Sequence, residues 1–144
     1  MNGFSSLHIE VHITQPAPFY SDVVRIGTIF NNLLSNAVRF QDPHKGKSTL
    51  QVKVVCKSRY AHILVMDNGI GIAEEHLPKV FNMFYRATQH GVGSGIGLYL
   101  VKETVTKLNG TMRLNSRLGE FTEFEIILPN QVPLENTNPE HSER

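Results

Sequence analysis

The sequence predicts an α+β domain in which helices pack on one face of a mixed, mostly antiparallel sheet. Strand-like runs occur at residues 7–14, 50–57, 61–66, 111–115 and 121–128, whereas residues 22 to about 40 repeat at helical period. Their order is strand, helix, two strands, loop, helix, two strands. Strands grouped in pairs favour an α+β arrangement over the strict strand–helix alternation of a dinucleotide-binding fold.

Leu7 to Thr14 alternates apolar and polar residues, which predicts a half-buried strand with Leu7, Ile9, Val11 and Ile13 inward. Pro16 and Pro18 end it, and Ser21 or Asp22 can cap the helix that follows. On that helix Val23, Ile26, Phe30, Leu33, Leu34 and Ala37 share an apolar stripe, and Arg25, Thr28, Asn32, Asn36 and Arg39 share the roughly opposite face. Residues 42–47 are a loop by composition. Leu50, Val52, Val54 and Cys56 form one strand face, and Ala61 to Met66 is a continuous apolar strand with Asp67 at its end. Short helical pieces are expected after Ala73 and around Val80 to Tyr85. Residues 86–94 carry no periodicity and read as a mobile loop. Gly95 to Leu108 reads as the second helix, stopped by Asn109-Gly110. The last two strands flank the turn Arg117-Leu118-Gly119-Glu120.

The chain has 144 residues, enough for one domain with a sizeable core. Residues 1–129 are expected to form that domain, and 130–144 a polar, frayed tail. A net charge of +1 points to neither nucleic acid nor a charged membrane. The single cysteine, Cys56, excludes an internal disulfide framework and fits a reducing compartment. No apolar run reaches the ~18 residues of a membrane span. The Met-Asn-Gly-Phe start is compatible with a fragment of a longer protein.

Three short signals interrupt the apolar segments. In Asn32-Leu33-Leu34-Ser35-Asn36-Ala37 the two asparagines stack on one helix face. Asn36 offers a hard amide oxygen suited to Mg²⁺, and Arg39, one turn on, can reach a phosphate. Read alone, this is also an ordinary solvated helix face. In Asp67-Asn68-Gly69-Ile70-Gly71 an acceptor-only carboxylate ends a buried strand. It would accept from the amino group of adenine and repel the oxygen of guanine, while Gly69 and Gly71 let backbone approach a ring. A plain turn after a strand has the same composition. In Gly93-Ser94-Gly95-Ile96-Gly97-Leu98 three glycines open a helix, where exposed N–H groups and the helix dipole favour phosphate. The spacing matches neither the dinucleotide fingerprint nor the Walker loop. Between the last two signals, Phe81 and Phe84 could pin a lid to the domain and Arg86 could swing toward phosphates.

In this order the segments resemble the catalytic ATP-binding domain of sensor histidine kinases, in the superfamily of gyrase, heat-shock and mismatch-repair ATPases. Asn32 to Ala37 resembles the family's N box and Asp67 to Ile72 its G1 box. Phe81-Asn-Met-Phe84-Tyr-Arg86-Ala resembles its F box, and Gly93 to Lys102 its G2 box. The resemblance spans about Leu7 to Pro129. It implies a two-layer α/β sandwich of the Bergerat ATP-binding type, with a lid between the F and G2 boxes. It also implies ATP and Mg²⁺ as cofactors, with Asn36 as the Mg²⁺ ligand. Asp67 would bind the adenine amino group, with Gly69 and Gly71 beside it. Asn32 and Arg39, the candidate catalytic residues, would face the phosphates together with Arg86, and Gly93, Gly95, Gly97 and Leu98 would supply contacts from the G2 box. Two departures stand out. Phe40 occupies a place where a tyrosine is common, and the lid segment Thr88 to Val92 is short. Gyrase-like relatives carry a water-activating glutamate in the first helix, where this chain has Asn32, which argues against efficient hydrolysis.

The resemblance implies that the γ-phosphate goes to a histidine. None of the seven histidines has the acceptor's helical context with an acidic neighbour. His8, His12 and His62 lie on strands, His44 in a loop, His76 before Pro78, His90 in the lid and His141 in the tail. The acceptor is therefore expected on a dimerisation, histidine-phosphotransfer domain of the same full-length kinase, with a response regulator served indirectly. The setting the resemblance implies is the cytoplasmic portion of a membrane-anchored sensor, and neither nucleic acid nor direct membrane contact is expected. A nucleotide-binding regulatory module without kinase activity, and an anti-sigma-factor-type serine kinase of the same fold, are the alternatives.

Overall fold

A computed structural model describes residues 7–86 and 95–133. Among the described residues, five strands form one sheet: β1 (Leu7–Thr14), β2 (Ser48–Cys56), β3 (Tyr60–Asp67), β4 (Thr111–Arg117) and β5 (Phe121–Pro129). Two helices accompany it among the same residues, α1 (Val23–Arg39) and α2 (Gly97–Lys107), with a 3-10 turn at Glu74–His76. The strand order is β1-β2-β3-β5-β4. Only β1 and β2 run parallel; the other three pairs are antiparallel. The α+β class, the mixed sheet and the helical layer are as the sequence predicts.

One face of the sheet makes the core. Leu50, Val52, Ile63, Val65, Phe124 and Ile126 pack with Ile29, Leu33 and Ala37 of α1 and with Val101 and Val105 of α2 in one buried cluster. Burying such aliphatic side chains is worth about 1.5–3 kcal/mol each, and it places α1 and α2 side by side over the strands. Ile29, outside the apolar stripe that the sequence predicts for α1, is fully buried, whereas Val23, within that stripe, is exposed in the first turn.

β1 differs from expectation. Its register aligns Ile9 with Leu50, Val11 with Val52 and Ile13 with Val54, so these side chains do share the core face. They are nevertheless 52%, 56% and 64% exposed. β1 is an edge strand, and the core cluster reaches it only at Leu7. Alternation gives the face of a strand but not whether a helix covers it.

Two helical expectations are also corrected. Gly95 is not helical: its φ of 77° is left-handed, and α2 begins at Gly97. No helix forms over Val80 to Tyr85, where the chain runs through successive turns. At the other end of α2 the expected stop holds, with Asn109 at φ 61°. After β5, Asn130 remains tied to the body. It accepts from Tyr20 N at 2.9 Å and donates to Pro18 O at 2.7 Å. Residues 134–144 of the tail expected from 130 onward, the short lid from Thr88 to Val92, Gly93, His90 and His141 lie outside the described residues.

Candidate nucleotide-binding site

The polar face of α1 forms one wall of a cleft of about 490 Å³. Asp22 caps the helix by accepting from Arg25 N at 3.1 Å, which sets its rotation from the first turn. Asn32, Ser35, Asn36 and Arg39 then face the cleft. Asn32 donates to Thr28 O at 2.7 Å, which holds its amide against the helix. The Arg39 guanidinium lies 5.9 Å from the ring centre of Phe40, itself a cleft residue.

The opposite wall begins where β3 ends. Asp67 is buried, with 8% exposure, and its Oδ1 accepts from Gly69 N at 2.8 Å. Burial pushes its carboxyl up to about 6, against the Gly69 amide and the Lys45 charge, which both favour the ionised form. A carboxylate kept partly out of water gains more from a donor that enters the cleft. The chain after Asp67 is clamped from both sides. Ile70 N donates to Phe40 O at 3.0 Å, and Gly119 N donates to Ile70 O at 2.7 Å. A Cβ on Gly71 would stand 2.2 Å from Arg117 O, and φ there is 70°. Glycine is needed at this position on both counts.

The third wall joins the F-box segment to the start of α2. Phe81 meets Phe124 edge-on at 6.5 Å between ring centres. Phe84 does not pin anything by burial: it is 64% exposed, with φ 66°. What fixes this segment is its backbone, since Phe84 N donates to Gly95 O at 3.0 Å. A Cβ on Gly95 would stand 2.7 Å from the Phe84 carbonyl carbon. His76 Nδ1 and Tyr85 Oη are hydrogen-bonded across the same wall.

Of the residues singled out from sequence, Asn32, Asn36, Arg39, Asp67, Gly71, Arg86, Gly95, Gly97 and Leu98 all line this cleft. Gly69 does not. Its place is behind Asp67, where a Cβ would meet Phe40 O at 2.3 Å and Asp67 Oδ1 at 2.8 Å. Segments distant in sequence therefore converge on one space of the size that holds a small ligand.

A sequence profile of the histidine kinase-, DNA gyrase B- and HSP90-like ATPases matches residues 21–132. The chain belongs to this family. Among curated relatives of this ATPase domain, the sensor protein RprX of Bacteroides fragilis is 37% identical over 89% of the chain. The autoinducer 2 sensor kinase/phosphatase LuxQ of Vibrio cholerae is 36% identical over 85% of it. The chain spans only 25% and 15% of the length of these two relatives. Among solved structures, the mycobacterial sensor histidine kinase MprB superposes with a TM-score of 0.74 at 27% identity, covering 90% of this chain and 88% of that one. The catalytic domain of the histidine kinase ThkA, at 20% identity and a TM-score of 0.67, shares the fold. The domain is thus of the sensor-histidine-kinase type within the family.

Several residues of the cleft and its walls were not singled out from sequence. Ile72 and Leu118 line the cleft, as does Thr122, which pairs with Asp67 across β3 and β5. Ser116 accepts from Ile72 N at 2.8 Å and donates to Phe121 O at 2.7 Å. Their signal exists only in strand pairing, which sequence does not display. Lys45 sits in a stretch read simply as a loop.

Proposed function

We propose that this domain binds ATP with Mg²⁺ and donates the γ-phosphate to a histidine on a separate dimerisation domain of the same full-length kinase. The observation that carries this reading is the convergence of Asp67, Asn36 and Gly97 on one cleft. Asp67 supplies a buried acceptor for the adenine amino group. Asn36 supplies an amide oxygen of the hard type that Mg²⁺ prefers. Asn32, Arg39 and Arg86 are assigned to the phosphates, with backbone contacts from Gly95 and Gly97 and with Leu98 beside them. Bound Mg²⁺ supplies charge neutralisation on the phosphates, and phosphoryl transfer asks the protein mainly for positioning and electrostatics.

Two features favour transfer over hydrolysis. α1 carries no acidic side chain, so that helix offers no base to activate water. Met83 and Phe84, just before the cleft residues Tyr85 and Arg86, are large exposed apolar side chains that an incoming acceptor domain would cover. No histidine of the described residues lies on α1 or α2, which leaves the acceptor to another domain and a response regulator downstream of it. The same reading sets the domain on the cytoplasmic side, where ATP is supplied, as the cytoplasmic portion of a membrane-anchored sensor. No helix among the described residues is long and apolar enough to cross a membrane.

The deciding experiment supplies the chain with Mg²⁺, γ-labelled ATP and a dimerisation domain bearing the acceptor histidine. Acid-labile label on that histidine is expected, and Asn36→Ala should abolish both the label and Mg²⁺-dependent nucleotide binding. Binding without transfer would leave a regulatory module, and label on serine would indicate a serine kinase.

A further inference from the structure

The 42–47 loop contains one side chain that reaches into the wall of the cleft. Lys45 Nζ donates to Asn68 O at 2.5 Å, to Glu120 O at 2.8 Å and to Gly69 O at 3.2 Å. An ammonium has three N–H groups, and all three find main-chain carbonyls. These carbonyls belong to two separate segments, the turn after β3 and the turn between β4 and β5.

The first of these bonds has a consequence at the site. Asn68 C=O and Gly69 N–H belong to the same planar peptide unit. Lys45 holds the oxygen of that unit, and its N–H donates to Asp67 Oδ1 at 2.8 Å. A cation on the carbonyl polarises the amide and strengthens the hydrogen bond it donates on the far side. One peptide plane thus relays from the Lys45 ammonium to the Asp67 carboxylate. The lysine charge also favours the ionised form of Asp67 against the cost of burial.

We propose that Lys45 is a positioning residue for base recognition: its ammonium locks the Asn68–Gly69 peptide and the 117–120 turn, and so holds the Asp67 carboxylate in the orientation that reads adenine. This rests on the assignment of Asp67 to the adenine amino group. Lys45 lies outside the four motif segments, and it acts through the backbone without touching the nucleotide.

The test separates base from phosphate. Wild type and Lys45→Met are titrated with Mg²⁺ complexes of ATP, GTP and tripolyphosphate, and thermal melts monitor folding. Lys45→Met is expected to weaken ATP about tenfold, the scale of one lost charge-assisted hydrogen bond. The ATP-over-GTP preference should shrink, and tripolyphosphate affinity should be unchanged. Lys45→Arg, which keeps a cation and donors, should retain most of the preference. Equal losses for ATP and tripolyphosphate would show a general structural role and overturn the proposal, as would an unchanged preference in Lys45→Met. Should Lys45→Met fail to fold, Lys45→Gln reads the same split without the charge. Wild type that binds no adenine nucleotide would sink the nucleotide assignment itself. Normal wild-type selectivity that survives in the lysine variants would sink only the role of Lys45.

Discussion

The side-chain oxygen of Asn32 lies 3.1 Å from the point where a Cβ on Gly97 would stand. This contact joins the polar face of α1 to the first residue of α2, and it leaves no slack for a methyl group. Asn32 cannot easily withdraw, because its amide donates to Thr28 O at 2.7 Å. Alanine is the better helix former by about 1 kcal/mol, so Gly97→Ala should fold. Its Mg²⁺·ATP affinity should fall about tenfold, through displacement of Asn32 by a few tenths of an ångström. Calorimetric titration beside a melting curve checks both halves.

Gly71 and Gly119 make a matched pair. Both have positive φ, at 70° and 79°, but a Cβ on Gly71 would stand 2.2 Å from Arg117 O, whereas nothing lies within 4 Å of one on Gly119. Gly119→Ala should cost about 1 kcal/mol, the strain of a left-handed alanine. Gly71→Ala adds a backbone clash and should cost more than about 2 kcal/mol, with loss of nucleotide binding. Denaturant midpoints of the two variants measure the difference.

Asp67 gives the stability a distinctive pH dependence. Its folded value of about 6 lies above the ordinary 3.8. Its contribution to stability is therefore fully present below about 3.8 and is lost as pH rises through 6. The span is about 3 kcal/mol. Asp22 and Glu125 have lowered values and act in the opposite sense, losing their contributions as pH falls. Subtracting the Asp67→Asn curve from wild type isolates the Asp67 part. Asp67→Asn should be the more stable protein at pH 7, yet lose ATP-over-GTP preference. In wild type, ATP binding should strengthen as pH rises through 6, because the ionised carboxylate is the better acceptor.

Two valines paired across β1 and β2 test the correction to the sheet edge. Val11 and Val52 are register partners, but Val11 is exposed and Val52 is buried. Val11→Thr should change stability by less than about 0.5 kcal/mol. Val52→Thr buries a hydroxyl and should cost about 1–3 kcal/mol. Equal effects would mean that something covers β1 in solution.

Much of the site was legible because its chemistry needs particular residue types. Asn32 and Asn36 keep helical spacing, Asp67 ends an apolar strand, and Gly95 precedes a helix that Gly97 opens; each is a local pattern. The exposure of Ile9, Val11 and Ile13 was not legible, since alternation names a face without naming its cover. Nor was the placement of Gly69, which sits behind Asp67 because its amide serves the carboxylate. Lys45 carried no signal at all, as one lysine in a polar loop looks like any other.

The sequence by itself determined the α+β class, the order of the elements and the family, because periodicity and short-range spacing are local properties. Only the tertiary structure decided which faces are covered, which glycines are sterically required and how one peptide plane connects Lys45 to Asp67. Those are contacts between segments far apart in the chain, set by the strand order β1-β2-β3-β5-β4 and by where two helices come to rest on it.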